Sequence, residues 1–131
     1  MTRKVSSGTP WEPVAGYSRA VAAGDYVFVS GSTPVVDGEV VHPGDAYAQA
    51  RQAILNVEQG LRALGCTLRD VVRTRMFVTD IGRFEEYARA HGEMFGDTLP
   101  ATSMVEVSRL VDERMLIEVE ADAYRPGVGL S

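Results

Sequence analysis

The chain is poor in the residues that handle metals, thiols and phosphates. Its 131 residues hold one cysteine (Cys66), one lysine (Lys4) and two histidines (His42 and His91). A lone cysteine cannot close an internal disulfide, so a reducing cytoplasm is the expected compartment. Neither histidine has a second ligand at metal spacing, so no metal is expected. The remaining twelve basic residues are arginines scattered among acids, and the net charge is −5. That balance argues against nucleic acid as a partner, because phosphate binding needs clustered positive charge. No apolar run approaches the roughly 18 residues of a membrane span, and MTRKVSSG has no signal-peptide core, so no membrane partner is expected. The glycine-rich phosphate loop, the dinucleotide fingerprint and the nucleophile-elbow motif are all missing.

What is present is ordinary globular composition, 45% hydrophobic and 24% charged, in a length that suits one domain spanning residues 1–131. Residues 3–11 suggest an edge strand or arm, and Glu12 to Gly16 a turn-rich loop. Ala20 to Ala23, Gly24-Asp25 and Tyr26 to Ser30 read as a hairpin, and Asp37-Gly38 between valine pairs as a smaller one. Asp45 is placed to cap a helix whose stripe Tyr47, Ala50, Ile54, Val57, Leu61 and Leu64 repeats at three and four, with Gly65 at its end. VVRTRMFVT (71–79) alternates as a strand, with Val72, Thr74, Met76 and Val78 on one face and Arg73, Arg75 and Phe77 on the other. Asp80 then caps a second helix, Arg83 to Phe95, with Phe84, Tyr87, Ala88, His91, Met94 and Phe95 on its apolar stripe. PATSMVEVSR (100–109) and LIEVEADAY (116–124) are the last strands, before a frayed Pro126–Gly129 tail. Two one-sided helices must cover one face of a mixed sheet, which makes the fold class α+β. The opposite face, too mixed for solvent and too polar for a core, is expected to pack against other copies of the chain.

The chemistry-bearing residues are carboxylates. Glu118, Glu120 and Asp122 stand in a row on one face of the last strand, and Glu106 falls on what reads as an adjacent strand. Two readings stay open: structural pairing with Arg73, Arg75 and Arg109, or a glutamate that orients water or shuttles a proton at a cleft. His91 reads as a core histidine, His42 as solvent-facing and Cys66 as an inert thiol.

GYSRAV (16–21), YVFVSGSTP (26–34), QARQAILNVE (49–58), DVVRTRMFVTD (70–80) and PATSMVEVSRL with IEVEADA resemble, in order and spacing, the RidA family. It is also called YjgF, or endoribonuclease L-PSP. The resemblance implies a chorismate-mutase-like fold, a homotrimer and ligand clefts between subunits. It implies a cofactor-free deaminase that hydrolyses enamine or imine metabolites to 2-keto acids and ammonia. Glu118 would position water, and Tyr17, Ser30, the Gly31 amide, Thr102 and Met104 would bind substrate. In the deaminases an arginine that clamps the substrate carboxylate occupies the position of Thr102, a cysteine is frequent at Met104 and an asparagine at Ala88. An anion would therefore need another arginine, with Arg75, Arg109 and Arg19 as candidates; without one, a neutral or larger imine suits the pocket better. The alternative to an enzyme is a non-catalytic small-molecule-binding or regulatory trimer. Ribonuclease activity, suggested by one family name, is disfavoured by the acidic balance.

Overall fold

The computed structural model describes residues 2–130. Its strands are β1 (Thr2–Val5), β2 (Ala20–Ala23), β3 (Tyr26–Ser32), β4 (Val35–Val36), β5 (Glu39–Val40), β6 (Val71–Val78), β7 (Ala101–Glu106) and β8 (Ile117–Tyr124). Its helices are α1 (Trp11–Ala15), α2 (Ala46–Ala63) and α3 (Phe84–Phe95). Six strands form one mixed sheet in the order β1-β2-β3-β8-β6-β7, and β4–β5 is a separate small hairpin. Only β6 and β7 run parallel, and α3 is the crossover that a parallel pair requires.

The two long helices cover one face, so the architecture is the expected α+β sheet with two helices on one side. Ala46, Ala50, Ala53, Ile54, Val57 and Leu61 of α2 are fully buried over Val27, Val29, Val119 and Ala121. Asp45 caps α2 by accepting a hydrogen bond from the Ala48 amide at 3.0 Å, and Gly65 ends it at φ +86°. Two polar residues of α2 are used structurally. Gln49, fully buried, donates to the carbonyls of Val41 and Arg114 and accepts from the Leu116 amide. Asn56 donates to the carbonyls of Thr33 and Val35 and so holds the β4–β5 hairpin against the helix.

Several local expectations are corrected. Val72 is exposed and Val71 takes the buried place, because a bulge between Val71 and Arg73 breaks the alternation there. Asp80 caps a single turn at Ile81–Arg83 rather than α3 itself, and Phe84 is exposed. Residues 11–15 form a helical turn closed by Gly16 at φ +77°. The tail is packed: Val128 and Gly129 are buried, and the Gly129 amide donates to the Gly24 carbonyl at 2.8 Å. β7 is separated from β8 by β6, so Glu106 is no neighbour of the β8 acids; it accepts from the Ile81 amide instead.

The uncovered sheet face carries Arg75, Phe77, Glu118, Glu120 and Asp122 in register, and beside them Tyr26, Phe28 and Tyr124. The three aromatics are each more than two-fifths exposed and contact one another, with Tyr26 central to the group.

Candidate active site

The site grows from an irregularity in β3. Val29 faces Ala121 and Ser32 faces Val119, so Ser30 and Gly31 together oppose one residue of β8. This bulge lies just beyond Val29, which faces Ala20, the first residue of β2, and it sits beside Glu118. Gly31 is required by close approach rather than by backbone conformation. A Cβ there would lie 2.1 Å from Glu118 Oε2 and 2.7 Å from Glu118 Cδ. The Glu118 side chain therefore passes directly over the glycine.

Arg19 braces the bulge. Its Nη1 donates to the carbonyls of Ser30 (3.2 Å) and Gly31 (2.8 Å) and to Ser32 Oγ (3.0 Å). The guanidinium carbon lies 5.8 Å from the centre of the Tyr17 ring, within cation–π range. Ser30 Oγ donates to the Ser18 carbonyl at 2.7 Å, which ties the two segments together.

Beneath them sits Glu12, which the sequence reading left in a loop. It is 4% exposed, and its Oε2 accepts from the Ser7 amide, Ser7 Oγ and Thr9 Oγ1 at 3.2, 2.6 and 3.0 Å. Burial pushes its carboxyl up, but the Ser7, Ser6 and Thr9 hydrogen bonds outweigh that and bring it down to about 2. The Glu12 carbonyl accepts from the amides of Gly16 and Tyr17. One acid thus fixes both the Ser6–Thr9 arm and the entry of Tyr17. The signal for it was faint: a glutamate three residues after Thr9, within reach of two hydroxyls.

These groups surround a cleft of about 1020 Å³ between the N-terminal arm, the β4–β5 hairpin, the C-terminal half of α2 and the end of β3. Tyr17, Arg19, Ser30, Gly31 and Glu118 all line it. Thr102 and Met104 do not. They lie on β7, three strand spacings from β3, which is about 14 Å. Thr102 sits on the helix-covered side, where it accepts from Thr74 Oγ1 at 2.7 Å; Thr74 in turn meets His91 Nε2 at 2.8 Å. Burial pushes His91 down, so the ring is neutral near pH 7. Met104 is half-buried against the core.

The row of acids on β8 divides in two. Arg75 bridges Glu120 (3.2 Å) and Asp122 (3.3 Å), so those two follow the structural reading. Glu118 has no ion pair or hydrogen bond among the described residues. Burial pushes its carboxyl up, Glu120 adds to the rise, and Arg19 opposes it. Of the other candidate cations, Arg75 is committed to those acids and Arg109 is exposed outside the cleft. Cys66 is buried, with burial and then Asp70 pushing its thiol up, as an inert thiol requires. His42 is exposed. No group of three or more His, Cys, Asp or Glu among the described residues could hold a metal ion, and no helix there is long and apolar enough to cross a membrane.

Comparison with known proteins bears on the family and the fold. The family model described as Endoribonuclease L-PSP matches residues 8–125. The crystal structure of Rv2704 from Mycobacterium tuberculosis, a member of the YjgF/YER057c/UK114 family, superposes with a TM-score of 0.86 at 46% identity, covering 95% of this chain and 99% of that one. The 2-iminobutanoate/2-iminopropanoate deaminase of Escherichia coli K12 is 35% identical over 95% of this chain and 99% of its own length. Escherichia coli TdcF, crystallised with bound serine, is 31% identical with a TM-score of 0.79, covering 94% of each chain. On the sequence match and the shared fold together, this chain belongs to the endoribonuclease L-PSP family, known also as YjgF or RidA.

Proposed function

We propose that the chain is a cofactor-free hydrolase of imines and their enamine tautomers, working at clefts between the subunits of a homotrimer. One observation carries the reading: in a row of three acids, Glu118 alone lacks a cation partner, and it faces a cleft with its carboxyl pushed toward neutrality. Structural carboxylates are paired; a carboxylate held unpaired at a cavity is suited to proton transfer. The relative named as a 2-iminobutanoate/2-iminopropanoate deaminase gives the chemistry.

In this mechanism Glu118 orients a water and takes one of its protons as the oxygen adds to the imine carbon. The imine nitrogen takes a proton from solvent, giving a tetrahedral carbinolamine. Glu118 then passes its proton to that nitrogen, the C–N bond breaks, and the carbinolamine hydroxyl returns a proton to solvent as the carbonyl forms. One imine and one water give one carbonyl compound and one ammonia. Tyr17, Ser30 and the Gly31 amide would hold the substrate, and burial pushes the Glu118 carboxyl up, which favours the protonated form that the second step uses.

The trimer reading is supported by two features. Thr102 and Met104 lie on the helix-covered side of β7 and do not line the cleft that holds Glu118, so a part for them in the site requires a second copy. The exposed aromatics on the uncovered face supply apolar surface for such a contact. Light scattering would give a mass three times 14.2 kDa; a monomer would remove Thr102 and Met104 from the site.

A non-catalytic ligand-binding trimer is the second reading, favoured by serine bound in the TdcF crystal and by threonine at position 102. An amino-acid oxidase that generates imines in the presence of semicarbazide separates the two. A hydrolase suppresses semicarbazone formation at catalytic concentrations. A binding protein leaves it unchanged.

A further inference from the structure

A polar chain crosses the helix-covered side of the sheet at its β7 edge. Thr74 is fully buried in β6, and its Oγ1 meets two groups: Thr102 Oγ1 on β7 at 2.7 Å and His91 Nε2 on α3 at 2.8 Å. The next inward-facing residues of β6, Met76 and Val78, are buried and apolar. Valine has the shape of threonine, so packing alone gives no reason for the hydroxyl. Counting protons fixes the direction of the chain. A threonine hydroxyl has one proton, and Thr74 donates its proton to Thr102. His91 Nε2 must then donate to Thr74, so the neutral ring carries its proton on Nε2 and a lone pair on Nδ1. Nδ1 has no hydrogen-bond partner among the described residues, yet it is not one of their buried unpartnered atoms, so it reaches the surface. At the far end Thr102 is exposed, and its own proton goes to no group among the described residues. The chain thus has an open acceptor at one end and an open donor at the other.

We propose that His91, Thr74 and Thr102 form a proton relay for imine hydrolysis, with Thr102 delivering and recovering a proton in the cleft of a neighbouring copy. This inference rests on the proposed function, which supplies both the imine and the second copy. In the first step Thr102 gives its proton to the imine nitrogen as the water oxygen bonds to the carbon. Thr74 passes its proton to Thr102, Nε2 passes its proton to Thr74, and Nδ1 takes one from solvent. The ring stays neutral and changes only its tautomer. In the second step the carbinolamine hydroxyl gives its proton to Thr102 as the carbonyl forms. Each transfer then reverses until Nδ1 returns a proton to solvent, and the chain is as it began. The nitrogen and the hydroxyl are bonded to one carbon, so a single threonine can serve both. Glu118 moves the proton of the attacking water to the leaving nitrogen, and the relay moves the other. His91 and Thr74 act through Thr102 and never touch the substrate themselves.

The test has two readouts on the full chain. Nitrogen NMR of histidine-labelled protein at pH 7, with His42→Gln used to assign the second ring, should show His91 neutral with its proton on Nε2. A resting ring protonated on Nδ1 instead would overturn the relay, because Thr74 would then donate to the ring and the Thr102 proton would point inward. The second readout is imine hydrolysis by semicarbazide competition, with each variant's melting temperature checked. His91→Gln can set an amide N–H near the place of Nε2, so it keeps a hydrogen bond to Thr74 but has no second tautomer. It should lower kcat by about 100-fold, the low end for acid–base catalysis, with KM unchanged. Thr74→Val should do the same, and Thr74→Ser, which restores the hydroxyl, should stay close to wild type. If Thr74→Val fails to fold, His91→Gln and Thr74→Ser decide. Undiminished kcat in a folded His91→Gln would reject the relay and leave the deaminase standing. A loss in Thr74→Ser as large as that in His91→Gln would also reject it, since packing rather than the proton would then matter. A wild type that hydrolyses no imine would reject the parent reading, and the relay's task with it.

Discussion

Replacing Gly31 with alanine separates the position of the Glu118 carboxylate from the stability of the fold. An added Cβ would stand 2.1 Å from Glu118 Oε2. Carbon–oxygen contacts settle at about 3.3–3.6 Å, so the carboxylate must withdraw by roughly 1.2–1.5 Å. The obstructing atoms are the far end of a side chain with room to rotate into the cleft, not backbone. Displacement off a favoured rotamer costs about 0.5–1.5 kcal/mol. Alanine in a strand recovers about 0.5–1 kcal/mol relative to glycine, and Gly31 is not among the positive-φ glycines. The two nearly cancel, so the melting temperature should stay within a few degrees of wild type. Function should not survive so well. A 1 Å misplacement of a catalytic group costs on the order of 100-fold, close to 2.7 kcal/mol of transition-state stabilisation. The assay is imine hydrolysis by semicarbazide competition, paired with a thermal melt. A folded Gly31→Ala enzyme with wild-type kcat/KM would refute the argument, because the carboxylate would then act from elsewhere or not at all.

Other consequences are more local. The Glu12 carboxyl is held at about 2 when folded against 4.5 as a free side chain. Its contribution is thus complete above pH 4.5 and lost as pH falls toward 2, so urea melts of wild type at pH 6 and pH 3 should differ by about 2 kcal/mol more than those of Glu12→Gln. Equal pH sensitivity would show that Glu12 does not anchor the arm. Gln49→Leu removes three hydrogen bonds and leaves two carbonyls and an amide without their side-chain partner; unfolding should become easier by about 2–3 kcal/mol, and a neutral result would mean that water replaces the amide. Cys66 should resist a thiol reagent such as DTNB in the native protein and react once denatured. Rapid labelling of the native state would contradict its burial.

Period and punctuation made most of the fold legible. The α2 stripe, the Asp45 cap, the Gly65 stop and the β2–β3 hairpin each follow from strong local signals, and the structure keeps them. Failures came where tertiary structure overrides period. The bulge at Val72 reverses which valine is buried, and no local composition announces it. Strand order was equally hidden: that β6 separates β7 from β8 depends on the α3 crossover, so Glu106 was placed beside the wrong neighbours. At the candidate site, Glu118, Tyr17, Ser30 and Gly31 do share a cleft, whereas Thr102 and Met104 sit across the sheet. Glu12 is not singled out by the sequence, because it is a charged residue in a loop-like segment and only the folded chain shows it buried. Arg19 is a candidate from sequence, but its burial is likewise visible only in the fold. Gln49 carried a usable signal, a polar residue between Ala46 and Ala50 on the face that packs on the sheet.

The most direct test of the account is the rate of imine hydrolysis by Glu118→Gln beside wild type, with 2-iminobutanoate generated in place by an amino-acid oxidase. Glutamine keeps the shape over Gly31 but can neither accept nor return a proton. The account predicts a folded protein whose kcat falls by about 100-fold or more, the range of a lost general base. It also predicts that wild-type activity declines on the acid side at a pH above the usual glutamate range, because burial and Glu120 raise the Glu118 carboxyl. A Glu118→Gln protein that hydrolyses the imine as fast as wild type would contradict the central claim.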